Sequence, residues 1–406
     1  MAGPLSHIRV LDLSRIMAGP WCGQILADLG ADVIKVERAG TGDDTRHWGP
    51  PYLHDRNGDP TAEAGYYLSV NRGKRSVELD LSTEEGRAVA RALALRSDIV
   101  LENFKTGTLA RFGLDYESLA AAKPDLVYCS ITGFGATGPK ARDAAYDFMI
   151  QGMGGLMSVT GPPDDAPGGG PQKVGVPIVD IMTGMYAAIG VLAALSRRAE
   201  TGRGDHIDLA MLDVSVAMLA NQAQNYLVSG RVPERRGNRH PNIQPQNVYP
   251  VADGHIVLAV GNDEQFRRFA ETIGRPELGE DRRFASNPLR VENLAELERV
   301  IVDALADGTV DHWIGRLSDR GVPCGPINTI DRAMAEPQVV HRRMLRSLAH
   351  PLAGTVSSVV SPLNFHEAPL VYDRAPPLLG QHTAEVLREL DLMSANETGS
   401  AKGSRR

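Results

Sequence analysis

The chain has 406 residues, 23% of them charged, and 43 basic against 50 acidic side chains leave a formal charge of −7. That length exceeds one compact core and predicts two domains, and the acidic balance excludes a general nucleic-acid or membrane surface without excluding a local basic site. Three scattered cysteines, Cys22, Cys129 and Cys324, with no Cys-x-x-Cys, exclude a disulfide framework or Cys-rich zinc site and fit a reducing, cytoplasmic compartment.

Met1 to Ser6 lacks the basic region and apolar stretch of a secretory leader. Ile8 to Leu13 predicts a short strand, Trp21 to Leu29 a helix stopped by Gly30, and Asp32 to Glu37 a second strand. This β-α-β unit implies a parallel sheet. Glu37 falls where a dinucleotide fold keeps its ribose-binding acid, but Met17-Ala18-Gly19-Pro20 stands in place of the glycine fingerprint, which argues against a nicotinamide site. Arg38 follows the strand directly. Ligands of open α/β sheets bind at strand carboxyl ends, so Arg38 is either a phosphate contact or a solvated surface arginine.

Gly40 to Gly65 reads as a long loop. Asn71-Arg72-Gly73-Lys74-Arg75 is a turn with three cations, Ser76 to Leu81 alternates like a strand, and Ser82 to Glu85 opens a helix to Leu95 in capping-box fashion. Asp98 to Asn103 and Leu126 to Ile131 are further strands, so the alternation predicts a doubly wound α/β sheet. Tyr146 to Gly155 reads as a helix with a glycine-rich end.

A Gly/Pro-rich loop, Thr160 to Gln172, then leads into a nearly uncharged run from Ile178 to Leu195 that holds one acid, Asp180. Its small residues and Asp180 make this a buried helix, not a membrane span. Burying a carboxylate costs several kcal/mol unless it is paired or hydrogen-bonded, so Asp180 either caps the helix or does chemistry. His206 to Met211 reads as a strand, Asp213 to Leu227 as a helix and Arg231 to Pro245 as a linker. A second unit begins at Gly254 to Val260, continues in amphipathic helices over 264–273, 287–305 and 310–320, and closes at Gly321 to Ile327. Ser361 to Phe365 is strand-like, Ala384 to Leu392 forms a last helix, and 394–406 is a flexible tail.

These landmarks, in order, resemble the class III CoA-transferases, the family of formyl-CoA and carnitine CoA-transferases. The matching pieces are Val10-Leu11-Asp12-Leu13 with Ala18-Gly19-Pro20, Leu29 to Glu37, Asn71 to Ser76, Glu102-Asn103-Phe104, Thr201-Gly202-Arg203-Gly204, Gly321 to Pro326 and Leu378 to Thr383. The resemblance implies a large Rossmann-like CoA-binding domain over 1–200, completed by 345–393. It further implies a linker helix at 201–230, a small α+β domain at 231–327, a return linker at 328–344 and an interlocked homodimer. It implies a CoA-transferase that moves CoA from an acyl-CoA, with succinyl-CoA a plausible donor, to a small carboxylic or dicarboxylic acid. Coenzyme A is then a substrate, and no tightly bound cofactor or metal is expected. The alternatives are an α-methylacyl-CoA racemase, disfavoured because Ala144 to Gly152 holds no histidine, and a non-catalytic CoA-binding protein.

Asp180 occupies the place of the family's nucleophile, which forms a mixed anhydride with the acyl group, and the start of its helix is expected to keep it ionised. Arg38 resembles the nucleotide-phosphate contact. Asn103 and Arg111 match positions that grip the CoA phosphates and adenosine. Leu79, with the cationic Lys74 and Arg75, resembles the adenine side. Met17 and Ala18 match the loop against the pantetheine arm, with Met17 where formyl-CoA relatives have Gln. Tyr146 matches an active-site aromatic and Asp147 an acidic neighbour of the nucleophile. Ala144 replaces a basic residue, and Gly237, Asn238, His240, Pro241 and Asn242 stand where formyl-CoA enzymes have a glycine-rich flap. Arg46, His47, Arg72 and His240 are the candidates for holding an acceptor's second carboxylate.

Overall fold

Apolar runs punctuated by glycine turns build a parallel sheet from the first residues onward. The structure, a computed structural model, describes residues 2–391. Strand β1 (Arg9–Asp12), helix α1 (Ala18–Asp28) and strand β2 (Asp32–Arg38) form the expected unit. Gly30 turns the chain between α1 and β2 at φ +98°, and a Cβ there would lie 2.9 Å from Gly3. A hairpin, β3 (Tyr52–His54) and β4 (Pro60–Ala64), precedes the short helix α2 (Gly65–Leu68) and strand β5 (Arg75–Leu79). Helix α3 (Glu84–Leu95) is capped by Thr83, whose hydroxyl accepts from the Gly86 N–H. The third helical position is thus glycine, and a reciprocal capping box does not form. Strand β6 (Ile99–Glu102), helix α4 (Tyr116–Ala120) and strand β7 (Val127–Thr132) follow, then α5 (Asp147–Met153), α6 (Leu156–Val159), α7 (Ile178–Thr201) and β8 (Asp205–Ala210).

The sheet order is β5-β2-β1-β6-β7-β8, all parallel. The order runs one way from β1 and the other way from β6, so the topological switch lies between them. One apolar core fills the face under α1 and α7, around Leu26, Val33, Leu101 and Val191. The opposite core includes Leu93, Tyr128, Val386 and Leu390. Helix α7 is long and apolar enough to cross a membrane by length and composition, yet Val179, Thr183, Ala187 and Val191 are buried. Its approach to α1 requires glycine at 184, where a Cβ would lie 2.6 Å from the Ala18 carbonyl oxygen.

The helix expected over 213–227 is two, α8 (Met211–Ala217) and α9 (Ala220–Ser229), because Ala220 takes a φ of +41°. Next come β9 (Gln246–Val251), β10 (Gly254–Ala259) and α10 (Asp263–Thr272). The run expected as one helix over 287–305 breaks at Asn293 into α11 (Asn287–Glu292) and α12 (Leu294–Leu305). Helix α13 (Val310–Asp319) and strand β11 (Cys324–Pro326) complete a second core around Phe266, Phe269, Ile301 and Trp313, with an antiparallel sheet β11-β10-β9. Helices α14 (Ile330–Ala335) and α15 (Pro337–His341) lead to a hairpin of β12 (Leu345–His350) and β13 (Gly354–Val359). Residues 361–365 form no strand; the pairing falls just before them. The last described helix covers 383–391, and the expected end at Leu392 and the tail over 394–406 lie outside the described residues.

The chain divides into two compact units. One holds Met1–Leu156, Val174–Ala220 and the chain from Val340 on; the other holds Met157–Lys173 and Asn221–Val339. Residues 157–173, read as part of the large domain, therefore group with the second unit. Within the stretch read as a linker helix, 201–230, strand β8 is the edge of the main sheet.

Candidate active site

Loops from three strands meet at the switch between β1 and β6, on the carboxyl edge where open α/β sheets bind ligands. The loop after β1 is pinned from both sides. The Asn103 carboxamide accepts from the Arg15 N–H at 3.0 Å and donates to the Arg15 carbonyl at 2.7 Å. On the other side both Asp43 oxygens accept from the Ile16 N–H at 3.2 Å, and Asp43 pairs with buried Lys35 at 2.9 Å. Ile16 is held at φ +72°, an uncommon state for a β-branched residue.

A cavity of about 730 Å³ opens beside this loop, lined by Arg38, Leu79 and Ser82. A smaller one, about 150 Å³, is lined by Met17, Ala18, Tyr146 and Asp180. Arg15 and Phe104 wall both, so the two form one groove along the sheet edge. Arg38 and Leu79 are register partners at the ends of β2 and β5. The Arg38 guanidinium is exposed and makes no hydrogen bond or ion pair among the described residues. The sequence reading of Arg38, Leu79, Met17, Ala18, Tyr146 and Asp180 thus converges on one groove.

Asp180 lies in the first turn of α7 and is 8% exposed. Asp147, at the start of α5, reaches it across the chain: one oxygen accepts from the Val179 N–H at 2.8 Å and the Asp180 N–H at 3.2 Å. Its other oxygen accepts from the Gln151 carboxamide at 2.6 Å, and Gln151 accepts from the Val174 N–H at 2.9 Å. The helix start was expected to keep Asp180 ionised. Instead burial, and then the Asp147 carboxylate, push its pKa up to about 7. Sequence reading missed Tyr66. Burial first, then the Asp180 and Asp147 carboxylates, push its phenol up to about 12, which places it in their electrostatic neighbourhood. Its position beside Tyr67 in a short helix gave no local sign of this.

Other residues from the sequence reading lie elsewhere. Lys74 is fully buried and donates to Asp12 (2.8 Å), the Pro20 carbonyl (2.9 Å) and Asn71 (3.1 Å). Arg75 opens β5 at its amino end, opposite the groove, and pairs with Asp32, Glu385 and Glu389. Neither lines the groove, which corrects their assignment to CoA. Arg111 is exposed on a 3-10 helix, Leu109–Phe112, and lines neither cavity. Asn103 lines the smaller cavity, but its carboxamide is engaged by Arg15.

The second-carboxylate candidates also separate. Arg46 is buried between Glu37 and Glu63, and Arg72 is buried against Asp28. The His240 ring accepts from the Asn242 and Ile243 N–H groups of its own turn. His47 lines the larger cavity. Arg15 and Lys105, which the sequence reading did not propose, line the smaller one. Glu37, the residue reminiscent of a ribose-binding acid, is 3% exposed and saturated by Arg46, Tyr67, Ser76 and the Asp43 N–H. It has no capacity left for a sugar hydroxyl.

A parallel sheet with a groove at its switch point, a basic residue at one end and a buried acid at the other defines an α/β enzyme for an elongated anionic substrate. The model of CoA-transferase family III matches residues 5–383. Succinate–glutarate CoA-transferase of Agrobacterium fabrum is 48% identical, over 97% of this chain and 98% of that protein. Succinyl-CoA:glutarate CoA-transferase of Homo sapiens is 38% identical, over 95% and 86%. The crystal structure of a CaiB/BaiF family protein from Brucella suis, 48% identical, superposes with a TM-score of 0.85 over 96% of this chain and 100% of that one. The chain belongs to CoA-transferase family III and is a CoA-transferase.

Proposed function

We propose that this enzyme moves CoA from succinyl-CoA to glutarate or a similar small dicarboxylic acid through a mixed anhydride on Asp180. The observation that carries this reading is a buried carboxylate with no cation bonded to it among the described residues, at one end of a groove whose other end presents Arg38. Arg38 takes the nucleotide phosphates, Leu79 flanks the adenine, and Met17 and Ala18 lie along the pantetheine arm. Asp180 attacks the thioester carbonyl carbon, the C–S bond breaks, and its electron pair leaves with the sulfur. The acceptor carboxylate then attacks the enzyme-bound anhydride and releases Asp180. The returning thiolate attacks the new acyl group, and the first acid departs. Arg15 or Lys105 holds the far carboxylate of a dicarboxylate. The names of the relatives from Agrobacterium fabrum and Homo sapiens support this substrate pair.

The working unit is a homodimer of two-domain subunits, interlocked as in the family it resembles. Supporting it, α7 exposes an apolar stripe, with Met185 42%, Tyr186 41% and Ile189 59% exposed, of the kind that marks a protein interface. We assign the enzyme to the cytoplasm, in keeping with three free cysteines. Racemisation needs an acid/base pair at the α-carbon, and no histidine lines the Asp180 cavity.

The test is a donor and acceptor screen with purified enzyme, pairing succinyl-CoA and glutaryl-CoA with mono- and dicarboxylic acids. Transfer between the C4 and C5 dicarboxylates is expected to exceed transfer to monocarboxylates. A preference for formate or oxalate would refute the substrate assignment. In the same assay Arg38→Ala is expected to raise KM for the acyl-CoA about tenfold, from loss of one charge-assisted contact.

A further inference from the structure

We propose that Asp147 is a positioning residue that drives acyl transfer onto Asp180. It does so by consuming the helix-start donors and presenting a second carboxylate whose repulsion ends when the anhydride forms. The inference rests on Asp180 being the nucleophile. A helix start normally offers free N–H groups that stabilise a nearby anion. In α7 every one of the first four is spoken for. The Ile178 N–H donates to the Val176 carbonyl and the Ile181 N–H to the Pro177 carbonyl. Those of Val179 and Asp180 donate to Asp147. None remains for the Asp180 side chain.

Other groups face Asp180 without bonding to it. The Tyr66 phenol, on α2, feels its charge, and Arg15, Lys105, Asp143 and Tyr146 line the Asp180 cavity. Met17 just before α1, Ala18 at its start and Met211 at the start of α8 also line it, none of them charged. Asp147 is therefore the acidic group joined most directly to it, through Asp180's own N–H. Attack converts the Asp180 anion into a neutral anhydride oxygen and passes the charge to the departing sulfur, so the repulsion favours the covalent intermediate. The pKa of Asp180, raised to about 7, agrees with this geometry.

The experiment follows the carboxyl carbons of labelled aspartate by NMR across pH in the full-length enzyme, with Asp180→Asn identifying the Asp180 signal. Wild type is compared with Asp147→Asn and Asp147→Ser, which keep an acceptor for the helix but remove the charge. A second comparison is Gln151→Leu, which keeps the charge and loses one clamp. In both neutral variants the Asp180 midpoint is expected to fall by about one unit, and the rising limb of kcat/KM to move down with it. Gln151→Leu leaves the midpoint in place. A midpoint unmoved in the folded neutral variants overturns the inference and leaves Asp147 a helix cap. The Asp180 reading fails separately if Asp180→Ala still transfers CoA.

Discussion

Asp12 and Asp180 are two buried aspartates in one unit, and their surroundings give them opposite properties. Asp12 ends β1 with no exposure, and Lys74 donates to it at 2.8 Å. Burial alone would raise its pKa, but Lys74 and then Lys35 outweigh it and hold Asp12 below the usual carboxylate value. Asp180 is buried nearly as deeply and has a carboxylate, Asp147, where Asp12 has an ammonium. Burial alone therefore does not set a buried acid's character; the sign of the nearest charge does. Asp12 holds β1, α1 and the turn before β5 together, whereas Asp180 has no ion-pair partner among the described residues, as the proposed nucleophile requires.

The sharpest way to break this contrast is to remove each acid's function in turn. Asp180→Ala is expected to lower CoA transfer by about 10³-fold or more, with binding of CoA itself, measured by calorimetry, largely retained. Near-normal turnover would show that Asp180 is not the nucleophile. Lys74→Met leaves buried Asp12 without its ion-pair partner, with only Ser14 still donating to it, and is expected to cost about 3–5 kcal/mol of stability in denaturant titrations. A loss below 1 kcal/mol would mean the pair is not the anchor described.

The third test uses pH. An acid whose pKa is raised on folding from 3.8 to about 7 weakens the fold as pH climbs through that window, because the unfolded chain ionises first. Asp180→Asn is accordingly expected to stabilise the protein more at pH 8 than at pH 4, by about 2–4 kcal/mol. Equal effects at the two values would place Asp180 in a solvated or paired setting.

Which parts were legible in the sequence follows from the range of the interactions. The β1-α1-β2 unit is written in local punctuation, Gly30 above all. Arg38 and Leu79 could be placed on one edge because both end strands, and strand ends share one edge of a parallel sheet. Arg75 misled because it begins β5 and points to the other edge. Lys74 misled because its partner, Asp12, lies 62 residues away. Asp147 was recognised as a neighbour, but its bonds to the Val179 and Asp180 N–H groups span 32 and 33 residues. The protonation of Asp180 was read from the helix start alone, before burial and Asp147 were known to oppose it. The breaks at Ala220 and Asn293 carried no glycine or proline to announce them.

Strand β5 also bears on how the protein is made. Its backbone is secured by residues some three hundred positions later: the His382 N–H donates to the Ser76 carbonyl, the Glu78 N–H to the Thr383 hydroxyl, and the Gly380 N–H to the Ser76 hydroxyl. Val386 and Leu390 fill the core beneath it. A nascent chain on the ribosome has already released Arg38, Leu79 and Asp180 long before these fasteners emerge. The β5 side of the groove is thus fastened only after the chain has been made as far as residues 380–383.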